Sequence, residues 1–357
     1  MRGECSPDHE KASLGLLLGA WERVVDLEEL EPICELLGSV AEQIYGCPTQ
    51  IVLADKVDGE PFGNEVFVPG SKDVLAYVCF SSKEYRLVEP LDQLFLRLVS
   101  WSITHNRLRQ EAEHRKRLVD SLRLARRILE ESLPVEKLRS DGWEVSGCLR
   151  SADHLGGDIF AYVAERGQVG FLLADAVGHG LDSALLASEC RALWSALHSS
   201  KRDLSAVAAR ISRLLYSHTG AERYVAATFG RCFPDGRLEV VCCGQGPHYV
   251  TGASEVIRLD EPDMPLGLFP DQTFQVRRLT LKPGQSVLFT SDGMADLRDG
   301  QGREFGEERI LATLRNLPAC PQKIVDGLLQ ALDLHRGENL PTDDISALAL
   351  VCYKTST

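Results

Sequence analysis

The stretch from Gly156 to Gly180 constrains this chain more than any other. Two short β-prone runs, 159–163 and 169–173, are separated by the turn signal Arg166-Gly167 and followed by Gly178-His179-Gly180. An apolar run then extends from Leu181 to Leu197, with the character of a buried helix. The expected local structure is strand, turn, strand, helix. Asp158 opens the first run and Asp175 closes the second. In an antiparallel hairpin those two ends lie side by side, so the two carboxylates can share one cation. Carboxylates at the rim of an apolar hairpin are costly to bury unless a positive charge accompanies them, and a metal ion supplies it.

A length of 357 residues predicts two domains. The formal net charge of -13 argues against nucleic acid or an anionic membrane as the main partner, because their phosphates would be repelled. No CxxC pair occurs among the 11 cysteines, and several stand in apolar surroundings, so reduced, buried thiols in a cytoplasmic protein are expected. No segment reaches the roughly 18 apolar residues of a membrane span.

Along the chain, residues 14–44 carry a helical pattern that includes Leu27, Leu30, Ile33, Leu37 and Val40. Strands are expected at 50–54, 65–68 and 74–80, with turns at Asp58-Gly59 and Pro69-Gly70, and a second helix starts near Pro90. This small α+β module holds no concentrated catalytic chemistry. His105 and His114 are lone helix residues that read as a solvated face, and Asp55 lacks the acidic companions a phosphoacceptor would need. Residues 108–133 are strongly helical, with Leu118, Leu122, Ala125 and Leu129 stepping as a coiled-coil seam. Eight basic residues fall between Arg107 and Arg127 against three acidic ones, which reads as the solvated face of a connecting helix. Pro134 stops it.

Beyond Trp143 the pattern is β-rich. Further strands are expected at 224–229, 238–243, 248–251, 274–281, 286–290 and 345–352, with helical blocks at 181–216, 307–314 and 323–334. Packed sheets with helices outside follow. Two more aspartates stand at strand ends, Asp292 in Ser291-Asp292-Gly293 and Asp343 in Pro341-Thr342-Asp343-Asp344. Any one of Asp158, Asp175, Asp292 and Asp343 alone is an ordinary turn-former. Clustered without cations they would repel and be driven toward protonation, whereas hard divalent ions would make them oxygen ligands.

The segments GGDIF (156–160), ADAVGHG (174–180), YVAATFGRCFPDGRLEVVCCGQGPHYV (224–250), PLGL (265–268), SDGMADLRDGQGREFG (291–306) and PTDDISALALV (341–351), with LARRILEESLP (124–134) ahead of them, resemble the ordered motifs of the PPM (type 2C-like) metal-dependent protein phosphatases, in particular the bacterial RsbU/SpoIIE-like branch. The resemblance implies an α+β fold, a PPM-type β-sandwich flanked by helices over 134–357. It would be preceded by a helical coiled-coil linker at 108–133 and by residues 1–107, whose element order resembles a shortened GAF-type sensor. It implies two divalent ions, Mn2+ or Mg2+, held by Asp175, the backbone carbonyl of Ala176, Asp158, Asp292 and Asp343, with Asp344 in a supporting contact. It further implies in-line attack of a metal-activated water on a phosphoserine or phosphothreonine. His179 is a candidate acid for the leaving oxygen, set against a purely structural place in the glycine turn. The family's usual Gly-His is Gly244-Gln245 here, which touches substrate contacts rather than metal binding.

The expected function is therefore a cytoplasmic serine/threonine phosphatase switched by its N-terminal module. Its expected partners are a phosphorylated STAS-domain anti-anti-sigma-like protein, a second copy through the linker helix, and a small-molecule or protein signal at the N-terminal domain, with neither nucleic acid nor membrane. The alternatives are a catalytically silent phosphoprotein binder and a ligand-sensing dimeric scaffold. A nucleic-acid-binding basic helix is disfavoured by the net charge.

Overall fold

The computed structural model describes residues 7–57, 64–68, 71–80, 90–134, 137–153, 155–165, 167–198, 203–219, 222–252, 256–259 and 263–353. The turns expected at Asp58-Gly59, Pro69-Gly70 and Arg166 lie outside them. The chain divides into two compact units, 1–119 and 120–357, and the division falls within a helix.

In the first unit, helices α1 (Pro7–Val25) and α2 (Leu30–Tyr45) precede strands β1 (Thr49–Leu53), β2 (Asn64–Phe67) and β3 (Val74–Phe80), and helix α3 begins at Pro90. The strands form an antiparallel sheet of order β1-β3-β2. Ile33, Leu37, Ala41, Ile51, Val78, Phe95 and Val99 build its core. The helical pattern expected as one piece over 14–44 is broken at residues 26–29. The carbonyl of Glu28 in that break accepts the side-chain amides of Asn106 (2.9 Å) and Gln110 (3.0 Å), so distant residues satisfy a group that an unbroken helix would bond internally. Asp55 sits in a single 3-10 turn and pairs with Arg107 at 3.2 Å, while His105 stacks on Trp101.

Helix α3 runs unbroken from Pro90 to Glu131, joining what the sequence divides into a closing helix and a linker. Among the described residues no helix is long and apolar enough to cross a membrane. In the second unit come β4 (Leu138–Ser140), β5 (Trp143–Arg150), β6 (Asp158–Glu165) and β7 (Gln168–Ala176), then α4 (Leu181–Leu197) and α5 (Leu204–Thr219). Strands β8 (Val225–Cys232), β9 (Arg237–Cys243), β10 (His248–Thr251), β11 (Val256–Leu259), β12 (Arg277–Thr280) and β13 (Ser286–Thr290) follow. Helices α6 (Gly293–Asp296), α7 (Gly306–Arg315) and α8 (Pro321–Arg336) lead to the last strand, β14 (Ile345–Cys352). The helical block expected over 181–216 is a pair of helices, the first spanning the 181–197 expected for it, while the strand expected at 274–281 shrinks to four residues and the short β4 and β11 are additional.

The strands form two sheets, β12-β9-β8-β7-β6 and β11-β10-β13-β14-β5-β4. Alternation along each strand assigns its faces. On β7, Val169, Phe171 and Leu173 join Phe289, Leu348 and Leu350 of the other sheet in the layer between them, while Leu172, Ala174 and Ala176 pack with Ala187, Trp194 and Ile211 under α4 and α5. On β14, Ala347, Ala349 and Val351 meet Ile324 and Leu328 of α8. The result is a four-layered sandwich, helices outside two sheets, with every residue of β13 and β14 buried. The ten described cysteines are all free thiols, half of them buried.

Packing is close where β8 passes Phe171. A Cβ added at Gly230 would stand 2.1 Å from the Glu239 carbonyl oxygen and 2.7 Å from the Phe171 ring. Gly230→Ala is expected to cost the 120–357 unit about 2–3 kcal/mol by overpacking, read as a lower denaturation midpoint.

Candidate active site

Strand pairing brings the acids together. In the β6–β7 register Asp158 stands opposite Asp175, and the same register continues to Glu165 opposite Gln168. By alternation Asp158 shares a face with Phe160 and Asp175 with Leu173, so both carboxylates enter the layer between the sheets at one end. At that end β13 runs out into Ser291-Asp292, and β14 begins after Asp343-Asp344. The two strands are tied there by a hydrogen bond from the Ser291 N–H to the Ser346 carbonyl (3.0 Å). A Cβ at Gly293 would lie 2.0 Å from the Asp344 carbonyl oxygen, so only glycine lets the Asp292 loop close against the Asp343-Asp344 backbone.

The five carboxylates differ in setting. Asp158 is 5% exposed, Asp175 half-buried, Asp344 buried, and Asp292 and Asp343 open to solvent. Burial is the main force raising the Asp158 carboxyl, with Asp175 next, and the hydroxyls of Ser346 and Ser291 offset part of the rise. Asp175 is pushed up to about 7, first by burial, then by the charges of Asp292 and Asp343, against a hydrogen bond with Asp158. Burial also raises Asp343. Asp344 has other work. Its Oδ1 accepts the Ala152 N–H at 2.8 Å and its Oδ2 the Asp158 N–H at 3.3 Å, which anchors the loop leading into β6. A Cβ at Gly156 would strike that carboxylate at 2.0 Å, which explains the first glycine of GGDIF.

Among the described residues no three His, Cys, Asp or Glu side chains converge as a ready-made metal cage. The residues present nonetheless fit a hard divalent cation. The donors are carboxylate oxygens, the charges acting most strongly on Asp158 and Asp175 are other carboxylates, and Asp158 Oδ2 is buried without a hydrogen-bond partner. A Cβ at Gly157 would sit 2.5 Å from the Ala176 carbonyl oxygen, so the second glycine of GGDIF leaves that oxygen uncovered. His179 stands exposed in the turn between Gly178 (φ 94°) and Gly180 (φ 84°), apart from the groups that chiefly act on these carboxylates.

Behind the acids, His248 is fully buried between the sheets, its Nε2 2.7 Å from the Thr228 Oγ1. Burial lowers its imidazole to about 3, so it is neutral. Sequence reading took His248 only as the start of a strand. A histidine opening an apolar run was the available signal. It also placed Ser291 and Ser346 only as flanking residues, although both moderate Asp158.

Residues 165–352 match the family described as Stage II sporulation protein E (SpoIIE). Among curated proteins, the chain is 20% identical over 259 residues to Protein IcfG of Synechocystis, covering 64% of this chain and 41% of that protein. It is 25% identical over 184 residues to Phosphoserine phosphatase RsbP of Bacillus subtilis, covering 49% of this chain and 45% of RsbP. The matches therefore span less than half the length of either relative. Among solved structures, the SiaA-PP2C domain of Pseudomonas aeruginosa superposes with a TM-score of 0.58 at 23% identity, over 67% of this chain and 99% of that domain. That likeness shows the fold of the second unit.

Raised carboxyls bind protons more tightly in the folded chain than in the unfolded one, so their penalty appears as pH rises from the unfolded value near 3.8 to the folded value of about 7 for Asp175. Under a chelator, the unfolding temperature should fall between pH 5 and pH 7.5. Millimolar Mg2+ or Mn2+ should restore it at pH 7.5, and Asp158→Asn should remove most of the metal response. Calorimetry across this series checks all three.

Proposed function

The chain belongs to the SpoIIE family of PP2C-like phosphatases, and on that premise we propose that it is a metal-dependent protein serine/threonine phosphatase acting on a regulatory phosphoprotein. The observation that carries the reading is the Asp158–Asp175 register pair at the mouth of the sandwich, with Asp292 and Asp343 at the ends of the neighbouring strands. We assign two divalent ions, Mn2+ or Mg2+, to Asp158, Asp175, the Ala176 carbonyl, Asp292 and Asp343. Such ions, when bound, supply a water of lowered pKa and charge to steady the attacking and leaving oxygens.

The rest falls to the chain. Asp158 and Asp175 are held rigidly by the β6–β7 ladder, while Asp292 and Asp343 sit on exposed strand ends that can adjust to the ions. Asp344 steadies the backbone at Ala152 and Asp158 rather than serving as a ligand. His179, exposed in a glycine-flanked turn, is the candidate proton donor to the leaving serine or threonine oxygen, set against a purely structural place in that turn.

For the substrate we infer a phosphorylated STAS-domain anti-anti-sigma-like protein. Two things support this: the sequence likeness to the RsbU/SpoIIE-like branch, and similarity to RsbP, itself described as a phosphoserine phosphatase. Regulation by residues 1–107 is inferred from the small cavity that the end of α3 and the residues just after it share with the site. Leu129 of α3 and Leu133 beyond it line it together with Gly156 and Asp158. Dimerisation through α3 is inferred from the seam Leu118, Leu122, Ala125 and Leu129, of which Leu118 is more than half exposed and the other three are partly buried.

The full chain should hydrolyse p-nitrophenyl phosphate and a phosphoserine peptide with Mn2+ or Mg2+, and EDTA should abolish turnover. Asp175→Asn should lower kcat by at least about a thousandfold, as expected when a group central to charge stabilisation is lost, while keeping the fold. Turnover that survives EDTA, or wild-type rates in that variant, would sink the assignment.

A further inference from the structure

One side chain at the mouth of the sandwich has no use in the mechanism above. Gln245 lies in the loop between β9 and β10, is 4% exposed, and neither its Oε1 nor its Nε2 has a hydrogen-bond partner. A buried amide with both ends unpaired lowers stability, and such a group calls for an explanation.

Its position supplies one. The loop passes from one sheet to the other across the end where the carboxylates lie. On the near side Cys243 stands opposite Ala227, next to Ala226, which pairs with Asp175. On the far side the β10–β13 register (Tyr249 opposite Leu288) continues through a hydrogen bond from Thr290 Oγ1 to the Pro247 carbonyl (3.2 Å). That bond holds the loop at the end of β13 that leads into Ser291-Asp292. The loop is also fixed at its start, where the Gly244 N–H donates to the Asp263 carbonyl at 2.6 Å. On one flank Gly244 (φ 76°) packs so closely on Pro265 that a Cβ there would stand 2.5 Å from its ring, and on the other Gly246 (φ 155°) is open, a Cβ there meeting nothing closer than 4.0 Å.

The chemistry narrows its partner. Acceptor oxygens abound at this mouth, yet the Gln245 N–H groups bond to none of them. Its partner is therefore an oxygen that arrives from outside. A lysine or arginine here would compete with divalent ions for the carboxylates, whereas an amide donates a hydrogen bond and adds no charge. We propose that Gln245 is the substrate-positioning residue of this site, its Nε2 donating to a non-bridging oxygen of the bound phosphoester and of product phosphate. The proposal rests on the phosphatase reading.

The test uses the full chain as wild type, Gln245→Met and Gln245→Glu. Methionine keeps the length and removes the amide, and the carboxylate repels phosphate. Three quantities are measured: the unfolding temperature, kcat and KM for p-nitrophenyl phosphate with Mn2+, and calorimetric binding of inorganic phosphate with Mn2+. Gln245→Met should unfold at the same or a higher temperature while KM and the phosphate dissociation constant rise about tenfold, the size of one hydrogen bond to a charged group. Gln245→Glu should raise both further. If Gln245→Met unfolds earlier with KM and phosphate affinity unchanged, the amide is structural and the proposal fails alone. Should Gln245→Met not fold, unchanged phosphate binding in Gln245→Glu overturns it equally. A wild type that neither turns over nor binds phosphate with metal overturns the phosphatase reading and this proposal with it.

Discussion

The β6–β7 register governs the second unit. The acids do not gather of their own accord: Asp175 raises the cost of ionising Asp158, and Asp292 and Asp343 raise that of Asp175. Eight paired positions and an apolar face on either side of the ladder hold Asp158 and Asp175 opposite one another instead. The constraint is discrete. Slipping β6 by one residue would put Ile159 into the layer between the sheets and turn Asp158 toward the helix-covered face, stranding a carboxylate among Ala187, Cys190 and Trp194. The core thus enforces a charge arrangement that the charges oppose, which makes a cation a natural complement of the fold.

That hairpin was legible because its signals are local: β-prone runs, a glycine at the turn, and glycines again before the helix. Glycine and proline marked most of the other elements, and the two-sheet, helix-covered arrangement followed from their order. What escaped was set from a distance. The break at 26–29 is stabilised by amides some eighty residues later, at Asn106 and Gln110, which no local pattern reveals. Strands β4 and β11 are three and four residues long, and β11 has no fully buried position, so neither carries the apolar alternation that betrays a strand. Helix α3 reads as two segments because its composition changes from apolar to strongly basic near Arg107, yet no proline or glycine interrupts it.

At the site, sequence located the acids but not their individual settings. Asp343 and Asp344 are adjacent and chemically identical. Only the fold shows one open to solvent and the other buried with two backbone N–H groups in its grasp. The glycines of GGDIF marked a turn in the sequence. In the structure they are spacing elements, one clearing the Asp344 carboxylate and the other the Ala176 carbonyl. Gln245 was visible as a departure from the Gly-His of the related motifs, but its lack of partners is a property of packing and could not be read from the chain.

The polarity of the layer between the sheets changes along its length, and the change controls which charges reach the mouth. Val169, Phe171 and Leu173 give way on β7 to Asp175, and Leu350 and Leu348 on β14 give way to Ser346 and Asp344. Where the apolar part ends stands the imidazole of His248, tied to Thr228 and held neutral by burial. A charged imidazole there would stand behind the carboxylates as a built-in counter-ion and weaken their hold on an incoming one. Keeping His248 neutral therefore preserves the negative field of the acids for a ligand from solution. The same logic favours an amide over a cation at position 245: both interior polar side chains next to the acids leave that field intact.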